Sequence, residues 1–143
     1  MGSSMSGEGA ITQLRYAILD IEKLRPHERT KPELLERLLE AIRAEGFLRR
    51  PVLVEDEHFV ILDGHHRYEA LRLLGCVRIP VYLVHYDDPA IGLTTWPEAV
   101  VATVTKAEVL ARGRQGDLFP PKTTRHLFPE ENEERWVRLE VLR

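Results

Sequence analysis

The chain has 143 residues, of which 43% are hydrophobic and 30% charged, and a formal net charge of −3. That length suits one domain with a single core, and no run approaches the ~20 apolar residues of a membrane span. The acidic balance argues against a generally basic nucleic-acid surface, and a single cysteine, Cys76, excludes an internal disulfide framework or a cysteine-rich zinc site and fits a reducing, cytoplasmic setting.

Residues 1–9, MGSSMSGEG, show neither a signal-peptide pattern nor helical periodicity and read as a tag remnant and disordered N-terminus, with 10–143 forming one domain. Residues 14–19, LRYAIL, predict an opening strand, and Pro26 ends regular structure in the loop EKLRPHE. Thr30 and Glu33 have the spacing of a capping box, and Leu34, Leu35, Leu38, Leu39 and Ile42 recur at helical spacing up to Gly46. PVLV and FVILD, joined by the acidic EDEH, predict two short strands over 51–62. Asp63-Gly64 then breaks the strand, and Tyr68, Leu71 and Leu74 mark a helix over 65–74 that Gly75 stops. RIPVYLVHY reads as a buried strand from Arg78 to Tyr86, and IGLTTWPEA as a strand or a turn. Thr105 and Glu108 cap a short helix ending near Gly113, a loop spans 114–129, and Trp136 to Leu142 predict a last strand. Helices alternating with strands give a small mixed α/β (α+β) domain.

Three clusters carry chemistry. The first is DGHHR at 63–67, at the mouth of the second helix. A helix N-terminus offers unpaired N–H groups and about half a positive charge. Gly64 lets a ligand approach the backbone, and His65, His66 and Arg67 are donors suited to phosphate oxygens. The plainer alternative is Asp63 as an N-cap with two solvated histidines. Adjacent helical residues diverge, which weighs against His65 and His66 sharing a metal. The second cluster is FPPKTTRH at 119–126, a proline-stiffened basic segment with two hydroxyls, Thr123 and Thr124, beside Arg125 and His126. The third is RPHE at 25–28, where Glu28 serves as a general base if the fold brings it to the phosphate site, or only favours the dipole of the next helix. Trp96 stands where an aromatic could wall a pocket, although a Trp beside an apolar run is more often core.

A strand, then DGHHRYEALRLLG, then a strand beginning IPV resembles the ParB/sulfiredoxin superfamily over about residues 14–86. Sulfiredoxins keep a catalytic cysteine where this chain has His65, and ParB-type segregation proteins carry a following helix-turn-helix domain not expected here. With its LRPHE loop, DGHHR turn and TTRH segment, the chain is most similar to the free L-serine kinases of this superfamily. That resemblance implies a ParB/sulfiredoxin-like mixed sheet with helices packed on it. It implies Mg2+-dependent phosphoryl transfer from ADP or ATP to L-serine, giving O-phospho-L-serine for cysteine biosynthesis. It implies Glu28 as catalytic base and Asp63 as the acid near magnesium. Gly64, His65, His66 and Arg67 would hold nucleotide phosphates, and Thr123, Thr124, Arg125 and His126 the substrate and its phosphate. The implied partners are L-serine and a nucleotide. A ParB-like nucleic-acid binder or nuclease and a nucleotide-binding regulator without turnover are the competing readings.

Overall fold

The computed structural model describes residues 14–128 and 134–143. The expected N-terminal extension, 1–9, lies outside the described residues, as does residue 129 at the end of the expected loop. In chain order the elements are β1 (Arg15–Asp20), a 3-10 turn (Ile21–Lys23), α1 (Pro32–Glu45), β2 (Phe47–Leu48), β3 (Val52–Glu55), β4 (Ile61–Asp63) and α2 (His65–Leu73). They continue with β5 (Arg78–Val84), β6 (Gly92–Thr95), α3 (Lys106–Gln115), β7 (Thr124–Leu127), β8 (Val137–Arg138) and α4 (Leu139–Leu142). The main sheet has the order β1-β5-β3-β4, in which β5 and β3 run parallel and the outer pairs antiparallel. The parallel pair requires a crossover, and α2 supplies it between β4 and β5.

Both faces of this sheet are covered. Along β3, Val52 and Val54 enter one core with Leu71, Ile79 and Val81, beneath the packed helices α1 and α2. Leu53 points the other way and joins Leu62, Tyr82, Val84 and the α3 residue Val109. Two-sided burial explains why PVLV is an unbroken apolar run instead of an alternating one. Two small antiparallel pairs, β2–β8 and β6–β7, complete the fold.

Four sequence expectations change. The Thr30–Glu33 box does not form: Pro32 occupies the first helical position of α1 and moves the N-cap to Lys31, which has no side-chain cap. The Thr105–Glu108 box does form, but α3 continues through Gly113 to Gln115 and stops at the left-handed Gly116. The expected loop over 114–129 holds β7, which starts at the second threonine of the TTRH segment, runs on to Leu127 and pairs with β6. The last segment is a two-residue strand followed by a helical turn, because the buried Leu139 and Leu142 have helical spacing.

Gly113 sits where α3 crosses the sheet, and a Cβ there would lie 2.6 Å from Val60 Cγ1. In an open helix Gly→Ala stabilises by about 0.5–1 kcal/mol. Gly113→Ala should instead lower stability, by ~1–3 kcal/mol, because Val60 is completely buried and cannot move aside. Urea denaturation checks the sign.

Candidate active site

The RPHE loop is laid as a strap between β4 and the segment entering β7. Arg25 exchanges backbone hydrogen bonds with Phe59 and Ile61, and His27 and Arg29 do the same with Phe119. The strap turns the Glu28 carboxylate into the protein, where it is 8% exposed. Its Oε1 accepts the N–H of Thr124 at 2.8 Å and the Thr124 hydroxyl at 2.9 Å, and Oε2 accepts the N–H of Lys122 at 3.1 Å. Lys122 lies in the left-handed region, at φ 59°, so successive N–H groups turn toward one carboxylate. Burial nonetheless raises the Glu28 pKa, and the bonds from Thr124 and its neighbours offset that only in part. A carboxylate raised in this way is a better proton acceptor than a solvated one.

The neighbouring His27 is 0% exposed. Its Nδ1 is 2.6 Å from the Ile61 carbonyl oxygen, its Nε2 2.8 Å from Thr124 Oγ1, and burial lowers its pKa to about 4. His126 Nε2 meets the Tyr86 hydroxyl at 2.8 Å, its buried Nδ1 forms no well-aligned hydrogen bond, and burial holds this ring at about 3.

At the mouth of α2 the N-cap is Gly64, at φ 108°, and no side chain caps the first turn. Asp63 is therefore not a cap. It ends β4 with its side chain 52% exposed and pairs with Arg67 at 3.2 Å. The first intrahelical bond reaches Tyr68, from Gly64, which leaves the N–H groups of His65, His66 and Arg67 outside the helical ladder. Both histidines tie α2 to the strap and to α1: His65 Nε2 accepts the His27 N–H at 3.1 Å, and His66 Nε2 accepts the Lys31 N–H at 3.0 Å. Nε2 thus carries no proton in either ring, and each neutral imidazole keeps an Nδ1–H donor. Burial lowers both pKa values, that of His65 strongly. Arg67 is anchored, donating to the carbonyl oxygens of Arg50 and Pro51 as well as to Asp63.

These pieces face one cleft of about 590 Å³. Glu28, Asp63, Gly64, His65, His66, Arg67, Thr124, Arg125 and His126 all line it. Thr123 does not: it is buried, and its hydroxyl donates to the Pro120 carbonyl at 2.6 Å. Arg125 and Lys122 stand over the two-ring face of Trp96, at 4.7 and 5.0 Å, and Trp96 Nε1 donates to the Thr124 carbonyl. Trp96 is thus a cleft wall and not core, the less favoured of its two sequence readings. His27 was missed by sequence reasoning. It lies inside RPHE, but a lone histidine in a loop carries no periodicity to show that it is buried. Glu28 and His65 also line a second cleft of about 270 Å³.

The architecture is a mixed α/β sheet with a cleft at a helix mouth. A solved free serine kinase in complex with AMP has the same fold, with a TM-score of 0.83 over 93% of this chain and 95% of that one, at 19% sequence identity. Residues 2–94 match the ParB N-terminal domain family, and the chain belongs to it. An ATP-dependent L-serine kinase of Staphylothermus marinus is 34% identical over 100 residues, which is 67% of this chain and 40% of that protein. The ADP-dependent L-serine kinase SerK of Thermococcus kodakarensis is 29% identical over 85 residues, 57% of this chain and 35% of that protein. The matched part of the chain therefore spans well under half the length of these curated relatives.

The buried imidazoles fix the acid limit of stability. A histidine with a depressed folded pKa leaves stability intact above the unfolded value of 6.5, and stability falls as pH drops toward the folded value. For His27 that loss is about 3 kcal/mol by pH 4. Glu28, with a raised folded pKa, acts in the opposite direction. Denaturant titrations at pH 7, 5.5 and 4.5 should show a monotonic fall. Constant stability down to pH 4.5 would contradict neutral burial of these rings.

Proposed function

We propose that the domain transfers the terminal phosphoryl group of ATP or ADP to the hydroxyl of L-serine. The observation that carries this reading is a buried carboxylate of raised pKa, Glu28, facing the same cleft as the uncapped N-terminus of α2. Glu28 takes the proton of the serine hydroxyl, the serine oxygen bonds to the terminal phosphorus, and the bond from phosphorus to the nucleotide's bridging oxygen breaks. The products are O-phospho-L-serine and ADP or AMP. The free N–H groups of α2, the Nδ1–H groups of His65 and His66, and Arg67 supply hydrogen bonds and positive potential to the phosphates. Thr124, Arg125 and His126 line the acceptor side, and Thr123 acts only through the backbone turn that orients Glu28. In a closed cleft such positioning and charge stabilisation make up most of phosphoryl-transfer catalysis.

Among the described residues no group of three or more His, Cys, Asp or Glu side chains stands ready to hold a metal. One half-exposed carboxylate, Asp63, fits Mg2+ that arrives on the nucleotide and keeps several waters. When bound, that ion neutralises charge on the transferred group. We place the reaction in the cytoplasm, as a step toward cysteine; the free, buried Cys76 is compatible with a reducing compartment. Among the described residues no helix is long and apolar enough to cross a membrane.

Phosphorus NMR of the protein with Mg2+, L-serine and ATP or ADP should show O-phosphoserine. Nucleotide-dependent stabilisation without product would mark a regulator instead. Glu28→Gln should lower kcat by about 10²–10⁴ with nucleotide affinity retained. Gly64→Ala places a Cβ 2.6 Å from Val52 Cγ1 at a strained φ and reshapes the turn, so nucleotide affinity should fall by roughly tenfold or more. The phosphorus NMR time course measures the fall in kcat, and isothermal titration with ADP the nucleotide affinity of both variants.

A further inference from the structure

One hydrogen in the cleft wall is wanted by two acceptors. The Ile61 carbonyl oxygen can only accept, so the His27 nitrogen beside it, Nδ1, carries the ring proton. Burial keeps the ring neutral near pH 7, which leaves Nε2 with a lone pair. That lone pair is 2.8 Å from Thr124 Oγ1, and Oγ1 is 2.9 Å from Glu28 Oε1. A threonine hydroxyl has a single hydrogen, whereas an ionised carboxylate and a bare imidazole nitrogen both call for one. With Glu28 ionised, the hydroxyl turned toward Oε1 completes three hydrogen bonds to the carboxylate and leaves the buried Nε2 unmatched. With Glu28 protonated, its new O–H donates to Oγ1, the Thr124 hydroxyl turns to Nε2, and all three groups are satisfied.

We propose that His27 is a positioning residue for the Glu28 base: it holds an empty acceptor against Thr124, so that the hydroxyl swings from carboxylate to imidazole as Glu28 takes up a proton. One proton moves, from the serine hydroxyl to Glu28. The Thr124 hydrogen only changes partner, and His27 stays neutral throughout. When Glu28 returns its proton to solvent the hydroxyl swings back. The unmatched Nε2 destabilises the ionised form of Glu28 and makes it a stronger base than its three hydrogen bonds alone would leave.

The charged and titratable groups around the pair do not replace this device. The rings of His65 and His126 stand against His27 with centroids 4.5 and 5.9 Å away, and burial keeps both neutral. Lys122 meets Glu28 through its backbone N–H, with its ammonium over Trp96. Arg29 and Glu69 flank Glu28 along the smaller cleft.

The proposal rests on the kinase reading only for the source of the proton; the Glu28–Thr124–His27 coupling is measurable without turnover. In protein carrying ¹³C-glutamate, the Glu28 carboxyl signal is assigned by its loss in Glu28→Gln and titrated by NMR. His27→Phe, which removes the acceptor, should lower the Glu28 midpoint by about one pH unit. His27→Gln restores an acceptor oxygen and should keep the midpoint near that of the wild type. An unchanged midpoint in His27→Phe, or an equal drop in His27→Gln, overturns the proposal. If His27→Phe does not fold, the wild type decides: the ¹⁵N signal of His27 Nε2 should move at the Glu28 midpoint as its lone pair gains the Thr124 hydrogen, and a signal indifferent to that midpoint overturns the proposal. Where kinase activity is present, the acid limb of kcat/KM should shift down with the carboxyl titration in His27→Phe. A shifted titration in a protein without kinase activity supports the coupling and contradicts only the kinase reading.

Discussion

The site depends on one buried acid held by a distant turn. Glu28 reaches across 96 positions of sequence to Thr124, and its three hydrogen bonds join the RPHE strap to the start of β7. A buried carboxylate without those bonds would be too costly to keep, and the turn at Lys122 would lose the anion that its N–H groups converge on. The same contact fixes the distance between the acid and the α2 mouth, because the strap is also bonded to β4 and β4 runs directly into Gly64. One interaction therefore positions both halves of the cleft.

The second half is made by leaving something out. Most helices satisfy their first N–H groups with a capping side chain, yet α2 begins on a glycine that supplies none. The histidines of its first turn are used twice: Nε2 takes a backbone N–H from the strap or from the start of α1, and this fixes the tautomer that leaves Nδ1–H as a donor. Arg67 is similarly anchored on the carbonyl oxygens before β3. Donors held by packing in this way need little reorganisation when charge moves, which is the physical requirement for stabilising a phosphoryl group in transfer.

Much of this was legible in the sequence where the signal was local. The apolar run of PVLV announced a strand, though not that it is buried on both faces, Gly75 announced the end of α2, and the Thr105–Glu108 spacing announced a capping box that forms. The identical spacing at Thr30 failed because Pro32 sets its own helix start one residue later. The TTRH segment read as a loop because Pro120 and Pro121 precede it, while its strand character comes from pairing with β6, a partner that local pattern does not reveal. Asp63 had the composition of a cap, but the left-handed Gly64 intervenes. Glu28 was recognisable as a candidate acid, though its burial and its hold on Thr124 are long-range facts. His27, which is fully buried, gave no local signal at all.

The most direct measurement is a crystal structure of the protein with ADP and Mg2+, with O-phosphoserine soaked in. For Glu28 and the α2 mouth to form one transfer site, the nucleotide's terminal phosphate should lie within hydrogen-bond distance of the N–H groups of His65 to Arg67. The phosphoserine oxygen should lie on the Glu28 side of the same cleft, as a shared site demands. Nucleotide bound with its phosphates away from the mouth of α2, or an acceptor out of reach of Glu28, would contradict it.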